Sequence, residues 1–380
     1  MKKITILFLL SALFSCGENE DHSSSNIFEN LTFSVDTVLV DAGEDFFNLN
    51  YGIGSSDVNE DKSELMFFEN SPHKLVRVDL DQLKLKSKTE FEEEGPNGIG
   101  PYLTGFELGP NQLFIQSYTT MALFDMQGKL IKDLKIVPEG IDPDLAGDYV
   151  ALFGNAIYDF QVNKIFTQPS FEKSGEYGLY VTDPNAKTTV SYPIPKMKIV
   201  DDLSGTFQTK SGEYTNFYYY STPKYTTSLP GKLIISCAPM SGIYLFDKET
   251  NQMEFKDIQH QSVPNVMQVD IDNNPTSEDA VKENRRKLGE QLNYQSILWD
   301  ESRDMFWRFG KKTFQGAEKG DPNTYEFYLF AYDQDFNVLG ETKLKDLENE
   351  PRNYFFKDGK LWSYVNVEDE LGFAVFTFDF

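Results

Sequence analysis

Side chains that perform acid–base or metal chemistry are thinly spread in this sequence. Its three histidines, His22, His73 and His260, are far apart, and no HExxH motif is present. A zinc site of the metalloprotease type is therefore not indicated. The members of a Ser-His-Asp triad have no fixed spacing because the fold brings them together, but the G-x-S-x-G elbow is absent as well. Residue types and spacing reveal no catalytic signature.

Two loops match ion-binding motifs only in part. The glycine-rich residues 95–100 lack the Lys-Ser/Thr of a P-loop and directly follow three glutamates, which would repel phosphate. The segment that starts at Asp270 begins like a calcium-binding loop. However, Pro275 stands where glycine is needed, and Val281 stands where the bidentate glutamate belongs. We therefore predict a turn and a solvated loop at these places, and no metal or other cofactor.

Aromatic and arginine side chains are better candidates for a binding site. In the run FYYY, a strand would place Tyr218 and Tyr220 on one face and Tyr219 on the other. Aromatic platforms bind sugars and peptides, although rings packed between sheets have the same spacing. Arg308 and Arg352 stand among apolar residues, where they would bind a carboxylate ligand or pair with an aspartate. The candidate ligand-binding residues are Tyr102, Tyr218, Tyr220, Trp299, Arg308 and Arg352.

The charge balance excludes one class of partner. The 380 residues include 60 acidic and 35 basic side chains, which give a net charge of −25. Such a chain repels phosphate backbones, so we predict that it does not bind nucleic acid. With so many acids, some pair of carboxylates will always have the separation that a glycosidase needs. The acid count therefore carries no information on sugar hydrolysis.

The first 16 residues, MKKITILFLLSALFSC, are organised like a bacterial lipoprotein signal peptide. Two lysines precede an apolar segment, Ile4 to Leu13, that is too short to span a bilayer. The ending Leu-Phe-Ser-Cys resembles the lipobox, in which the cysteine receives a lipid and becomes the new N-terminus. Phe14 is bulkier than the usual residue there. We predict a signal peptide over residues 1–15 and lipid attachment at Cys16, an ordinary secretory signal being the alternative.

The residues after Cys16 predict where the protein is located. Residues 16–30 are polar, acidic and without periodicity, which indicates a flexible tether. An acidic cluster at this place is similar to the export signal of Bacteroidota surface lipoproteins. We expect a chain that is anchored to the outer membrane through its lipid and is exposed at the cell surface, with the periplasmic face as the alternative. Cys237 has no disulfide partner, and its apolar neighbours predict that it is buried.

A repeated unit runs through residues 31–380. A strand-like segment ends in Asp, and turn-forming residues and a second strand-like segment follow; the six copies end at Asp79, Asp125, Asp183, Asp247, Asp333 and Asp379. The carboxylate of such an Asp can accept hydrogen bonds from the N–H groups of the turn. The shortest spacing, 46 residues from Asp79 to Asp125, matches a four-stranded blade. The repeat predicts an all-β, six-bladed β-propeller, or a seven-bladed one if Asn265 to Asp272 belongs to a blade.

The two ends of the repeat complete each other. The sixth copy stops at the end of the given sequence without its last strand, whereas the strand-like segment Leu31 to Val40 belongs to no copy. We predict that these two segments pair and close the ring. The longest gap between copies, from Asp247 to Asp333, contains a helical pattern near 276–292 that Thr276 would cap. We predict that this helix is an insertion outside the blades.

Two further segments carry a family resemblance. The loop GPNGIGPY, residues 95–102, is similar to the Gly/Pro-rich turn of six-bladed-propeller lipoproteins of Bacteroidota. The segments NYQSILWD and MFWRF, residues 293–300 and 305–309, resemble one of their domain-of-unknown-function subfamilies. This resemblance implies a fold and an envelope location, and no activity. We therefore predict a lipid-anchored module that binds a glycan, a peptide or an envelope protein, or that assembles with one; a propeller glycosidase or lyase is the alternative.

Overall fold

The computed structural model describes residues 26–70, 72–135, 156–168, 177–316, 318 and 321–380. Within these ranges the chain forms six four-stranded antiparallel sheets and one two-stranded sheet. The four-stranded sheets are the blades of a six-bladed β-propeller, so the predicted fold class is confirmed. Between Asn265 and Asp272 there is an isolated bridge at Val266 and no strand. The seven-bladed alternative is therefore wrong.

Each of the first three blades consists of four consecutive strands, written here from the innermost to the outermost. Blade 1 contains β2 (Ser56–Val58), β3 (Glu64–Glu69), β4 (Lys74–Asp79) and β5 (Lys84–Glu90). Blade 2 contains β6 (Leu103–Gly109), β7 (Gln112–Ser117), β8 (Met121–Asp125) and β9 (Leu130–Asp133). Blade 3 contains β10 (Ile157–Asp159), β11 (Lys164–Thr167), β12 (Gly178–Asp183) and β13 (Thr188–Pro193).

The other three blades include the one that closes the ring. Blade 4 contains β16 (Lys224–Leu229), β17 (Lys232–Cys237), β18 (Met240–Asp247) and β19 (Gln252–Lys256). Blade 5 contains β20 (Asn293–Asp300), β21 (Met305–Phe314), β22 (Thr324–Tyr332) and β23 (Val338–Leu344). Blade 6 contains β24 (Phe355–Lys357), β25 (Lys360–Val367), β26 (Glu370–Asp379) and, as its outermost strand, β1 (Thr32–Leu39).

The core lies between the blades. Six hydrophobic clusters in the described residues each join two neighbouring blades, and together they run around the ring. The cluster between blades 6 and 1 includes Phe373 and Val76, and the one between blades 4 and 5 includes Ile234 and Phe330. Cys237 is buried in the cluster between blades 3 and 4, as predicted. Burial of these apolar faces is the main force that holds the blades together.

The N-terminal strand closes the ring. Strand β1 pairs antiparallel with β26, from Thr32 opposite Asp379 to Leu39 opposite Gly372. The predicted closure is therefore confirmed, and no edge is left open on the outer side of β26. Just before β1, the main-chain N–H of Ile27 donates to Leu339 of blade 5. Residues 26–28, which the sequence assigned to the tether, are thus packed on the ring.

The aspartates of the repeat close the turns between the third and fourth strands of the blades. Asp247 accepts hydrogen bonds from the main-chain N–H groups of Glu249 and Thr250, and the same arrangement is found at Asp79, Asp125, Asp183 and Asp333. These main-chain hydrogen bonds favour the ionised form and lower the pKa of Asp247. The repeat that the sequence shows is therefore a repeated turn.

Two insertions lie on one face of the ring. The hairpin of β14 (Gly205–Ser211) and β15 (Tyr214–Tyr220) joins blades 3 and 4, after the short helix α1 (Lys198–Asp202), and helix α2 (Glu278–Gly289) joins blades 4 and 5. In an antiparallel four-stranded blade the outer strand ends where the inner strand begins, so both connections lie at the same end of the blades. Val281 and Leu288 of α2 pack with Tyr220 of the hairpin.

Helix α2 is shorter than the sequence predicted. Its N-cap is Ser277, whose side chain accepts a hydrogen bond from the N–H of Ala280, rather than the predicted Thr276. Helix boundaries depend on the conformation of the capping residue, which Ser and Thr can both adopt. In the described part of the chain no helix is long and apolar enough to cross a membrane. The predicted signal peptide with Cys16, the residues 17–25 of the tether and His22 lie outside the described residues.

Candidate functional site

A cleft of about 700 Å³ lies between the two insertions and the ring, and we call it the insertion cleft. Its walls are residues 219–223 with Tyr225, the C-terminal half of α2, the first residues of β20, the end of β21 and Glu350. These segments come from the connections between blades 3 and 4, 4 and 5, and 5 and 6, so the cleft opens at the end where the inner strands begin. This volume is within the range of small-molecule sites.

The outer rim of the cleft is formed by strand β15, whose two faces differ sharply. Tyr218 and Tyr220 pack toward α2, and the buried hydroxyl of Tyr220 donates to the main-chain oxygen of Asp272 at 2.6 Å. On the opposite face Phe217 is 64 % exposed and Tyr219 is 61 % exposed. The predicted alternation is therefore present, but the face that the ligand-binding prediction chose is the packed one. Only the residues of the other face offer free rings.

Arg285 is fixed at this rim by Tyr219. Its Nε donates to the main-chain oxygen of Tyr219 at 2.9 Å, and one of its terminal nitrogens donates to the same oxygen. The guanidinium carbon lies 5.7 Å from the centroid of the Tyr219 ring, a distance typical of a cation–π contact. Arg285 and Tyr219 thus form one preorganised unit that couples α2 to the hairpin.

The inner wall of the cleft is polar. The Tyr225 hydroxyl donates to Oε1 of Gln295 at 3.1 Å, and Nε2 of Gln295 donates to the main-chain oxygen of Asn293. Nδ2 of Asn293 donates to the main-chain oxygens of Leu288 and Gln291, and no described residue donates to its Oδ1. Burial raises the pKa of Tyr225 well above its usual value, so its hydroxyl is neutral at physiological pH.

One buried hydroxyl in the wall has no hydrogen-bond partner. Oγ1 of Thr222 is without a partner among the described residues, although Thr222 is only 4 % exposed. Buried polar groups without partners are uncommon because they forfeit their hydrogen bonds to water. The oxygen itself has almost no accessible surface, so a ligand in the cleft would not contact it without a local rearrangement.

The charged groups of the cleft leave an excess of positive charge. Lys311 and Glu350 form an ion pair with 2.6 Å between Nζ and Oε1, and both side chains are partly exposed. The remaining charged residue of the described lining is Arg285. The described part of the lining therefore carries two positive charges and one negative charge, in a protein whose net charge is −25.

Arg308 does not reach a ligand. It is 0 % exposed, and its three nitrogens donate to the main-chain oxygens of Gln295, Ser241 and Cys237 at 2.7, 2.7 and 3.0 Å. Its guanidinium carbon also lies 4.7 Å from the centroid of the Tyr294 ring. Main-chain oxygens thus take the place of the predicted aspartate among the described residues, and burial keeps the guanidinium away from any ligand in the cleft. Arg308 ties the main chain of blade 4 to that of blade 5.

The other predicted ligand-binding residues do not meet at one place. Tyr102 is exposed in the loop before β6, and the side chain of Arg352 is exposed in the connection before β24. Trp299 lines a smaller cavity of about 270 Å³ with Phe306, at the opposite end of blade 5 from the insertion cleft. Tyr220 alone of the six predicted residues lines the insertion cleft. The cleft residues that sequence reasoning missed come from connections that only the fold brings together.

A buried histidine lies between blades 4 and 5, outside the lining of the cleft. Nδ1 of His260 is 2.9 Å from Oε2 of Glu341, and Nε2 is 3.2 Å from the Tyr332 hydroxyl. Burial lowers the pKa of His260 to about 4. A neutral ring satisfies both contacts, because Nδ1–H donates to the carboxylate and Nε2 accepts from the hydroxyl. The ring is buried, so this arrangement supports the fold and does not form an open catalytic site.

Three acids on the inner strands of blades 1 to 3 bear on the glycosidase alternative. Asp57 accepts the N–H of Leu108 from the neighbouring blade, and Asp159 forms a buried ion pair with Lys248 at 2.5 Å. Burial, and then the negative charges of Asp57 and Asp159, raise the pKa of Glu107 well above its usual value. Asp57 and Asp159 thus connect neighbouring blades. Across the described residues, no three His, Cys, Asp or Glu side chains lie close enough to hold a metal ion.

Comparisons with known proteins agree with this architecture. A member of the DUF4221 family from Bacteroides vulgatus matches with a TM-score of 0.63 and 14 % identity, over 92 % of this chain and 98 % of its own. A protein of Bacteroides fragilis that is described as exported matches with a TM-score of 0.50 and 9 % identity, over 94 % of this chain and 98 % of its own. At these identities the likeness shows the fold alone. No curated protein matches the sequence.

The family model that describes a domain of unknown function, DUF4221, matches residues 24–343. This range covers blades 1 to 4, all of blade 5 except the last residue of β23, both insertions and the closing strand. The Bacteroides propeller that matches over nearly its whole length is a member of the same family. The chain therefore belongs to the DUF4221 family.

Proposed function

We propose that this protein is a ligand-binding module of the cell envelope, anchored to the outer membrane by a lipid on Cys16, and that it binds a glycan in the insertion cleft. The lipobox-like ending of the signal peptide and the acidic residues after it support the anchor and an exposed position at the cell surface. The exported relative in Bacteroides fragilis supports an envelope location. A peptide or an envelope protein is the other kind of ligand that the same site would accept.

The observation that carries this proposal is the exposed ring of Tyr219 at the rim of a polar cleft. A sugar ring presents an apolar face that stacks on an aromatic side chain and a rim of hydroxyls that need hydrogen-bond partners. Tyr219 offers the platform, and Oδ1 of Asn293 and the hydroxyl of the exposed Ser221 offer polar contacts. Such a combination of an aromatic platform and a few placed polar groups is typical of ligand sites.

The cleft supports binding better than hydrolysis. A glycosidase of the usual kind needs two carboxyl groups about 5–10 Å apart that flank the bond to be cleaved. Of the described residues that line the cleft, Glu350 is the single acid, and Lys311 neutralises it. Asp57 and Asp159 are engaged in contacts between blades. The described lining of the insertion cleft therefore lacks the pair of free carboxyl groups that a propeller glycosidase or lyase would need.

Binding of an oligosaccharide set to the purified chain tests the proposal. We expect saturable binding that Tyr219→Ala weakens roughly three- to tenfold, as expected for one aromatic contact. Tyr214→Ala is the matched control, because Tyr214 is an exposed ring on the same strand that does not line the cleft. If Tyr219→Ala and Tyr214→Ala bind as tightly as the wild type, the cleft is not the site. Binding of peptides alone would overturn the glycan as ligand.

The anchor is tested separately. We expect Cys16→Ala to release the protein from membranes or to leave it unprocessed, because the thiol is the point of lipid attachment. Protease treatment of intact cells then distinguishes the cell surface from the periplasmic face. Normal processing with full membrane retention of Cys16→Ala would contradict lipidation at this residue.

A further inference from the structure

We propose that the ligand of the insertion cleft is an acidic saccharide, whose carboxylate binds Arg285. This inference rests on the proposed function, since it specifies the class of glycan that the cleft takes. A uronate-containing oligosaccharide has the required chemistry: a sugar ring to stack on Tyr219 and a carboxylate for the guanidinium.

The first support is the sign of the charge in the cleft. Among the described residues, the lining has the cations Arg285 and Lys311 and the single anion Glu350. Lys311 and Glu350 neutralise each other at 2.6 Å, so the charge of Arg285 remains. On a chain with a net charge of −25, a locally positive cleft attracts an anion that the rest of the surface repels.

The second support is a contrast between two neighbouring arginines of α2. Arg286 is fully engaged with carboxylates, because it bridges Glu283 on one side and Glu290 on the other. Arg285 has no carboxylate partner among the described residues, and it donates to the main-chain oxygen of Tyr219 instead. The acids in and directly after this helix are thus paired with Lys282 or Arg286 and do not neutralise Arg285.

The third support is the part of the guanidinium that stays free. Nε and one terminal nitrogen of Arg285 both donate to the Tyr219 oxygen. The two terminal nitrogens still have N–H groups on the edge between them, and this edge fits a carboxylate through two parallel hydrogen bonds. Because the Tyr219 carbonyl and ring already hold the side chain, little rotational freedom is lost when the carboxylate binds.

The hydroxyl groups of the sugar have partners in the same cleft. Oδ1 of Asn293 can accept a hydrogen bond, and the hydroxyl of the exposed Ser221 in the lining can both donate and accept. These groups are neutral, so they would bind a neutral sugar and an acidic one equally well. Discrimination between the two therefore depends on Arg285.

The test uses the purified full chain in detergent and pairs of oligosaccharides that differ only in charge. Oligomers of galacturonate, glucuronate and mannuronate are each compared with their methyl esters, which keep the shape and remove the charge. Binding is measured by titration calorimetry. We expect at least one acidic oligomer to bind roughly tenfold or more tightly than its ester, and salt to weaken the acidic form selectively.

Two variants that each remove one positive charge from α2 test whether Arg285 is the residue that binds the carboxylate. Arg285→Gln should abolish the preference for the acid over its ester, while Arg286→Gln, which removes the same charge from the same helix, should preserve it. If the acid and the ester bind alike and Tyr219→Ala weakens both, the glycan site stands and the acidic class is wrong. If no acidic oligomer binds, or if Arg285→Gln keeps the preference, the inference is overturned.

Discussion

Arg308, between blades 4 and 5, and Arg285, at the rim of the insertion cleft, use the same contacts in different surroundings. Both donate to main-chain oxygens, and both lie against a tyrosine ring. Arg308 is 0 % exposed, and each of its nitrogens has a protein partner. Arg285 is exposed and keeps one edge of its guanidinium free. An arginine that stabilises the fold therefore differs from one that can bind a ligand in two respects. These are the burial of its side chain and the number of its N–H groups that already donate to the protein.

The ring of blades and the two insertions differ in the same way, the ring being closed and packed and the insertions keeping exposed groups. We call the β14–β15 hairpin and α2 together the insertion layer. In the ring, β1 completes the outer edge of blade 6, and apolar clusters fill the spaces between blades. In the insertion layer, the two-stranded sheet of β14 and β15 leaves one face with exposed rings. We therefore expect changes in the ring to alter stability and changes in the insertion layer to alter binding.

Loss of the closing strand should have the largest effect. Deletion of Leu31 to Val40 removes the strand that pairs with β26 along its length and exposes an apolar edge. We expect insoluble protein, measured by the fraction recovered in the supernatant after expression. The matched control replaces Gly205 to Tyr220, the hairpin of the insertion layer, by a short Gly/Ser linker.

The hairpin deletion should give soluble, folded protein whose circular dichroism loses only the contribution of the two deleted strands and keeps that of the blades. Equal insolubility of both deletions would contradict the separation of ring and insertion layer. A cysteine pair at Ser34 and Thr377, which face each other across β1 and β26, gives an independent check through disulfide formation. Burial raises the pKa of the Cys237 thiol to about 12, so this residue stays protonated and does not compete.

Arg308→Met should have the next largest effect. The methionine fills part of the volume but leaves the main-chain oxygens of Gln295, Ser241 and Cys237 without their donors. We expect a loss of about 3–5 kcal/mol in the free energy of unfolding, measured by urea denaturation. Arg286→Met, whose ion pairs are on the surface of α2, should lose less than about 0.5 kcal/mol. Similar losses for the two variants would remove the distinction between a structural and a surface arginine.

His260 should make stability depend on pH. Its pKa is lowered to about 4 by burial, against an ordinary value of 6.5, so the unfolded chain binds more protons in this interval. Its contribution is present above pH 6.5 and is lost as the pH falls toward 4, by roughly 3 kcal/mol at most. We expect the unfolding free energy of the wild type to fall more steeply over this range than that of His260→Gln. Equal slopes would contradict a neutral buried ring beside Glu341 and Tyr332.

The repeat was predictable because its signal, the turn aspartate, is local in the sequence. The closure was predictable because the number of strand-like segments leaves one unpaired segment at each end of the repeat. Each turn aspartate bonds to N–H groups two to four residues away, so the pattern recurs in the sequence. The leftover segment Leu31 to Val40 followed from the incomplete sixth copy. The hairpin of β14 and β15 also has a local signal that was missed: two alternating segments flank Gly212, whose φ of +64° suits a tight turn.

The site was not predictable because its determinants are distant in the chain. Alternation placed Tyr218 and Tyr220 on one face, but the choice of the packed face depends on α2, about 60 residues later in the sequence. The three oxygens that bind Arg308 lie 13 to 71 residues away from it. An arginine among apolar residues looks the same in the sequence whether it is buried or free. The insertion cleft needs three connections that only the closed ring brings together.

The most direct test measures stability and binding on the same preparation of Arg285→Gln. Urea denaturation gives the free energy of unfolding, and calorimetric titration gives the affinity for the acidic oligosaccharide that the wild type binds. We predict that stability stays within about 0.5 kcal/mol of the wild type while the affinity falls roughly tenfold or more. A loss of several kcal/mol in stability with unchanged affinity would make Arg285 a structural residue like Arg308 and would contradict its role in binding the carboxylate of the ligand.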